Sequence, residues 1–192
     1  MKRRLPAEWE EQDGVLLAWP HEGTDWRTHL DQVEPVFVEL VRQVSRFETV
    51  LVAAPDPDRV RRLAVRAGVQ LDSVRICPVD TNDTWARDFG PITVESNGAP
   101  LLLDFGFNGW GLKFAADLDN QVTRRLFEAG AFGTLPHRPV GLVLEGGSIE
   151  SDGNGTILTT AECLLNPNRN PHLSRRAIQA RLGKLFGADH FL

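Results

Sequence analysis

Asp80-Thr-Asn-Asp-Thr-Trp-Ala-Arg-Asp-Phe-Gly-Pro91 interrupts one apolar run (Val74, Ile76, Val79) before another (Ile92, Thr93, Val94) takes over. The pattern is that of a strand that arrives, breaks and restarts. Three aspartates (Asp80, Asp83, Asp88), Arg87 and Trp85 fall within nine residues. That is too polar for a sheet interior and too aromatic for an ordinary turn, and Gly90-Pro91 punctuates its end. A polar segment held at strand ends by a rigid sheet is a common form of binding loop. Its chemistry suits a planar cation such as a guanidinium, because carboxylates accept the N–H donors in pairs and Trp85 can cover the flat face. The alternative is an ion pair between Arg87 and one of the aspartates that only pins the loop.

Upstream, Val15-Leu-Leu-Ala-Trp19 reads as a buried strand ended by Pro20, followed by a polar loop through His21, Asp25 and Trp26. Trp19 and Trp26 belong either to the packing or to the wall of a ligand site. His21 and His29 lack cysteine or regularly spaced partners, so they read as solvated or hydrogen-bonded histidines rather than zinc ligands. From Leu30 to Phe47, Val33, Phe37, Leu40, Val41 and Val44 share one helical face. Thr49 to Ala53 is the next strand. Asp56-Pro57 then has the N-cap and first-turn character of a helix whose apolar side is Val60, Leu63, Ala64 and Ala67, stopped by Gly68. Val74 to Val79 is the strand that delivers the polar loop.

Downstream, Ile92 to Glu95 and Leu101 to Asp104 flank Ser96-Asn-Gly-Ala-Pro100, a hairpin signal. Phe105-Gly-Phe-Asn-Gly-Trp-Gly111 alternates aromatics with glycines, which either seal a pocket or pack under the sheet. It lacks the strand-to-helix GxGxxG arrangement of a dinucleotide site. Leu118, Val122, Leu126 and Ala129 mark a helix ending at Gly130. The order then recurs. Pro139 to Leu144 is an incoming strand, Glu145-Gly-Gly147 interrupts it, and Ile149 and Thr156 to Thr159 surround the turn Asp152-Gly-Asn-Gly155. The recurrence implies a structural repeat of roughly sixty residues.

In that repeat Glu145 takes the place of the aspartate loop, so it is a candidate ligand-binding acid. The other reading is a carboxylate caged by backbone N–H groups of the two-glycine turn. Asn166-Pro-Asn-Arg-Asn-Pro171 reads as loop whose amides either clip backbone, the favoured role, or line a site, Ser174 as the cap of a last helix carrying Ile178, Leu182, Leu185 and Phe186, and Ala188 to Leu192 as the start of a strand. Cys163 reads as a strand end, and it and Cys77 as free thiols.

The 192 residues are 42% hydrophobic, enough to bury a sizeable core, and one domain is the simplest expectation. A formal charge of -5 and a pI near 5.5 argue against a broad nucleic-acid surface. No run approaches the ~20 apolar residues of a membrane span, and the start Met-Lys-Arg-Arg-Leu-Pro lacks the apolar segment of a secretory signal. The expectation is a soluble cytoplasmic protein that binds neither nucleic acid nor membrane.

Pro6-Ala-Glu-Trp9, Trp19-Pro20, Asp83-Thr-Trp-Ala-Arg-Asp-Phe-Gly-Pro91, Leu144-Glu-Gly-Gly-Ser-Ile149 and Thr159-Thr-Ala-Glu-Cys-Leu-Leu-Asn-Pro-Asn-Arg-Asn-Pro171 together resemble the N-terminal part of the agmatine deiminase and bacterial-type peptidylarginine deiminase family. The resemblance covers almost the whole chain. It implies an α/β fold, a partial pentein-like α/β propeller of repeated ββαβ units, with residues 1–192 the N-terminal part of one deiminase catalytic domain. It places Trp85 at an aromatic pocket position, Asp88 at the guanidinium-binding acid of the catalytic site, and Glu145 at a substrate-binding acid before paired glycines. It further implies hydrolysis of a small guanidine, agmatine, to N-carbamoylputrescine and ammonia through a covalent cysteine intermediate, with no metal or organic cofactor and with homo-oligomers as one option. Peptidyl or free arginine remains the alternative substrate, and a noncatalytic guanidine-binding module the alternative class. The family's catalytic histidine and cysteine motifs lie in its later half, so residues 1–192 alone are expected to be inactive.

Overall fold

The computed structural model describes residues 2–192. In chain order the elements are β1 (Arg3–Arg4), β2 (Gly14–Ala18), α1 (Leu30–Val44), β3 (Thr49–Ala54), α2 (Pro57–Arg66), β4 (Val74–Pro78), α3 (Ala86–Phe89), β5 (Ile92–Ser96), β6 (Ala99–Gly106) and α4 (Gly109–Leu112). They continue with α5 (Val122–Glu128), β7 (His137–Val143), β8 (Ile149–Ser151), β9 (Thr156–Thr159), α6 (Ala161–Leu164), α7 (Arg175–Phe186) and β10 (His190–Phe191). Contacts divide the chain into two compact units, one of residues 1–10, 87–116 and 134–192, the other of residues 11–86 and 117–133.

The first unit contains the strands of the repeat that the sequence suggests. β5 and β6 pair antiparallel, and β7 returns parallel to β6. β8 and β9 likewise pair antiparallel, and β10 returns parallel to β9. The same hairpin-plus-parallel-return pattern thus occurs twice, as ββαβ units demand. The first hairpin turns through Asn97 (φ 54°) and Gly98 (φ 82°), the paired left-handed residues for which Asn-Gly is the favoured dipeptide. Its sheet runs β1-β5-β6-β7. The edge strand β1 has only two residues, and Arg4 anchors it by splitting its guanidinium between Glu95 (2.8 Å) and Glu10 (2.6 Å). The core beneath joins Val94, Leu103, Phe105, Ile149 and Ile157 from the strands to Ile178, Leu182 and Phe186 of α7, each side chain contributing roughly 1.5–3 kcal/mol on burial. Ser174 caps α7 through Oγ, which accepts from the Ala177 N–H, and Gly187 (φ 70°) ends it.

In the second unit β2, β3 and β4 form a parallel sheet, and parallel neighbours require crossovers, here α1 and α2. Asp56 caps α2, its Oδ1 accepting from the Arg59 N–H at 2.8 Å, and Pro57 takes the first turn where a missing N–H costs nothing. Trp19 belongs to the core with Val38, Val41, Val50 and Val52. Its indole N–H donates to Glu34, whose buried carboxylate also receives the Arg59 fork at 2.6 and 2.8 Å. The Arg59 hydrogen bonds hold the Glu34 carboxyl below the usual range.

Candidate functional site

In the first unit, Asp88 lies on α3, a single turn inside the stretch that the sequence reads as loop throughout. Its carboxylate is held at both oxygens: Oδ2 accepts from the Trp110 indole N–H at 2.9 Å and Oδ1 from the Gly147 backbone N–H at 3.0 Å. An ionised carboxylate has about four lone-pair sites, so two remain for an incoming pair of donors. Trp110 reaches Asp88 because it takes a left-handed backbone (φ 56°, ψ 45°), flanked by Gly111 (φ 81°) and Leu112 (φ 66°). Such a conformation costs about 1–3 kcal/mol for a residue other than glycine. Edge-on contacts of its ring with Phe107 (5.0 Å) and Phe114 (5.7 Å) oppose that cost. The aromatic-glycine segment therefore orients an N–H donor toward the Asp88 carboxylate.

The two glycines after Glu145 permit a close backbone approach. A Cβ at Gly146 would collide with the Arg87 carbonyl oxygen, and one at Gly147 with Asp88 Oδ1. Any side chain here would push the turn off Asp88 and remove its second N–H. Glu145 itself is 3% exposed and is paired with Arg169, whose Nε and Nη2 both lie 2.8 Å from Oε1. A cage exists, then, but a guanidinium makes it rather than the backbone N–H groups of the turn. Arg169 lies in the Asn166–Pro171 loop, whose amides are structural: Asn170 accepts from the Val143 N–H (3.1 Å) and donates to its C=O (2.8 Å). Asn168 donates to the Gly111 C=O at 3.1 Å.

Arg87 forms no pair with the nearby aspartates. Its guanidinium meets Glu8, of the Pro6-Ala-Glu-Trp9 segment, which corrects the pinned-loop alternative and leaves the loop's carboxylates to other partners.

In the second unit, Trp85 is 49% exposed, and its indole N–H donates to Asp83 Oδ2 at 3.1 Å. Asp83 Oδ1 accepts from the Thr84 N–H, and Thr84 Oγ1 receives the Trp26 indole N–H at 3.0 Å. Trp26 thus packs and fixes the loop. Asn82 and Asp119 interlock: the Asn82 amide oxygen accepts from the Leu118 and Asp119 N–H groups, while Asp119 Oδ1 accepts from the Asn82 N–H at 2.7 Å.

Asp119 is 1% exposed, and burial pushes its carboxyl up to about 6 against the opposing pull of those N–H groups. The native state therefore retains a proton that the unfolded chain releases at a lower pH, so this group's contribution to stability is full below about pH 4 and is lost as pH rises through about 6. Asp119→Asn keeps an acceptor without the charge. Unfolding measured from pH 4 to 7 should show the wild type losing stability relative to the variant across that window, whereas a constant difference would contradict the assignment.

Cys163 lies on α6, not at a strand end, in a turn whose start is capped by Thr160 Oγ1 accepting from the Cys163 N–H. Cys77 is partly buried, and burial pushes its thiol up. Both thiols are free, as the sequence reading has them. Of the site residues named from sequence, Asp88 and the Glu145-Gly-Gly turn meet in the first unit, through Gly147, and Trp85 lies in the second. The donor Trp110, the counter-charge Arg169 and the acceptor Asp119 were missed. The aromatic-glycine run was the available signal for Trp110.

The family model for Porphyromonas-type peptidyl-arginine deiminase matches residues 4–192. The chain belongs to this family. Among family relatives, agmatine deiminase from Pseudomonas aeruginosa (strain UCBPP-PA14) is 35% identical over 98% of this chain and 52% of its own length, and that from Stutzerimonas stutzeri (strain A1501) is 37% identical over 98% and 51%. A cysteine-to-serine variant of C. jejuni agmatine deiminase with substrate bound superposes with a TM-score of 0.87 at 39% identity, covering 98% of this chain and 55% of that one. Agmatine deiminase of Enterococcus faecalis superposes at 0.85 with 31% identity, covering 99% and 52%. These likenesses show the family's pentein-type α/β fold, built here from the ββαβ units described above. The chain spans about half the length of the curated relatives it matches. Among the described residues, no helix is long and apolar enough to cross a membrane.

Proposed function

We propose that residues 1–192 are the N-terminal part of one deiminase catalytic domain, and that the complete protein hydrolyses agmatine to N-carbamoylputrescine and ammonia. The observation that carries the reading is Asp88, whose carboxylate is fixed by Trp110 and Gly147 with one acceptor site left on each oxygen. A guanidinium presents two parallel N–H donors to such a group. Asp88 would hold the substrate and Trp85 would cover the guanidinium face, while Glu145, whose charge Arg169 balances, would reach the substrate as a further acceptor.

The chemistry is nucleophilic. A cysteine thiolate adds to the guanidinium carbon, the C–N bond to one terminal nitrogen breaks as that nitrogen leaves protonated as ammonia, and water then displaces the thiolate to give the ureido product. No redox partner enters the balance. Asp88 contributes by orienting the carbon toward attack and by keeping the guanidinium charged and electrophilic. The nucleophile and its proton-handling histidine would come from the complete protein beyond residue 192, so the 192-residue chain alone should bind without turnover. Relatives named agmatine deiminase favour agmatine over peptidyl or free arginine.

Ammonia release from agmatine, free arginine and a peptidylarginine, measured in parallel for the complete protein and residues 1–192, tests the reading. Turnover of agmatine by the complete protein alone is expected. Arginine preference would reassign the substrate, and sustained turnover by the short chain that disappears in Cys163→Ser would overturn the placement of the nucleophile.

A further inference from the structure

An open cavity of about 600 Å³ in the first unit is lined by four cations: Arg3 of β1, Arg138 of β7, and Arg181 and Lys184 of α7. Neither Asp88 nor Glu145 borders it, and no aspartate or glutamate does. This is unusual in a chain with 26 acidic residues against 21 Lys and Arg. Elsewhere the fold neutralises its structural arginines, Arg4 with Glu10 and Glu95, Arg59 with Glu34, and Arg169 with Glu145. Among the described residues, Arg138, Arg181 and Lys184 form no ion pair.

Arg3 is held in place, its Nη1 donating to the Lys184 carbonyl at 3.4 Å. Burial, and after it the like charge of Arg138, pulls its pKa below the ordinary arginine value, although an arginine stays charged at neutral pH. The cavity thus concentrates positive charge on a protein whose net charge is -5.

We propose that this cavity is a binding site for a small polyphosphate, with Arg138 and Arg181 supplying planar forks to phosphate oxygens and Lys184 and Arg3 completing the charge. Arginine forks fit both carboxylate and phosphate. Charge selects between them, because a single carboxylate would leave two of Arg138, Arg181 and Lys184 uncompensated, whereas a triphosphate carries enough charge for all three in a volume that the cavity admits.

Titration calorimetry of inorganic triphosphate into the complete protein tests this, with orthophosphate and ATP in parallel at matched ionic strength. The pocket variant Arg138→Ala/Arg181→Ala is compared with Arg61→Ala/Arg66→Ala, which removes equal charge from α2. All four side chains are exposed, and circular dichroism checks the fold of each variant. The expected result is saturable triphosphate binding, stronger than orthophosphate, weakened about tenfold or more by the pocket variant and unaffected by the control. ATP binding as tight as triphosphate would identify nucleotides as the source, and weaker ATP binding free polyphosphate. Absence of saturable binding, or equal weakening in both variants, would overturn the proposal.

Discussion

Asp88→Asn in the complete protein is expected to lower kcat/KM for agmatine by roughly 30-fold to several thousand-fold, the equivalent of the 2–5 kcal/mol lost when one partner of a buried, hydrogen-bonded charge pair is removed. Two effects combine. The negative charge facing the guanidinium disappears, and the new amide must turn its N–H₂ toward either the Trp110 indole N–H or the Gly147 N–H, where a donor now meets a donor. Trp110→Phe separates the two, because it keeps the ring but removes the donor, and it should raise KM by about tenfold while leaving the charge in place. Steady-state kinetics on both variants, with thermal unfolding to confirm the fold, give the comparison. Wild-type kcat/KM in a folded Asp88→Asn protein would remove Asp88 from the site.

A large loss of stability is expected from Arg169→Met. Glu145 would remain 3% exposed with its charge uncompensated, and breaking a buried pair from one side costs about 3–5 kcal/mol. For a chain of this size that corresponds to a fall in Tm of roughly 6–20 °C. The double variant Glu145→Gln/Arg169→Met should recover most of the loss, since it removes both charges together. Thermal unfolding of the single and double variants reads this directly. An Arg169→Met protein as stable as the wild type would show that Arg169 is not what compensates Glu145. The same series weighs the two roles of Glu145: a carboxylate needed only by Arg169 affects folding, and one that meets substrate also affects agmatine KM in the Glu145→Gln/Arg169→Met double variant, where neither buried charge is left alone.

What the sequence made legible was local. The Asn97-Gly98 turn and the caps at Asp56 and Ser174 are each decided within a few residues, and each occurs where the pattern puts it. The face of α1 was legible in part: Phe37, Val41 and Val44 pack on the core as expected, but Leu40 is 42% exposed and Val38 and Glu34, outside the expected face, are buried. The repeat was legible for the same reason, as the same short-range signals recur in the same order. The partners of the site residues were not. Arg169 lies 24 residues from Glu145, and Trp110 lies 22 from Asp88. No periodicity reports that a tryptophan will take a left-handed backbone to deliver its N–H. Strand β1 was invisible because two residues carry no alternation, and its place depends on Arg4 finding Glu95. α3 escaped because a four-residue turn has no amphipathic face to read. Asp119, adjacent in sequence to the start of a helix, reads as first-turn polarity, and only its burial against Asn82 reveals a clamp.

The central claim is that Asp88, fixed by Trp110 and Gly147, receives the substrate guanidinium. A crystal structure of the complete protein with agmatine bound, its nucleophilic cysteine replaced by serine to prevent turnover, tests it most directly. The account predicts two guanidinium nitrogens within about 3 Å of the Asp88 oxygens, with the Trp110 and Gly147 donors still in place. A guanidinium bound elsewhere, with Asp88 contacting only Trp110 and Gly147, would contradict it.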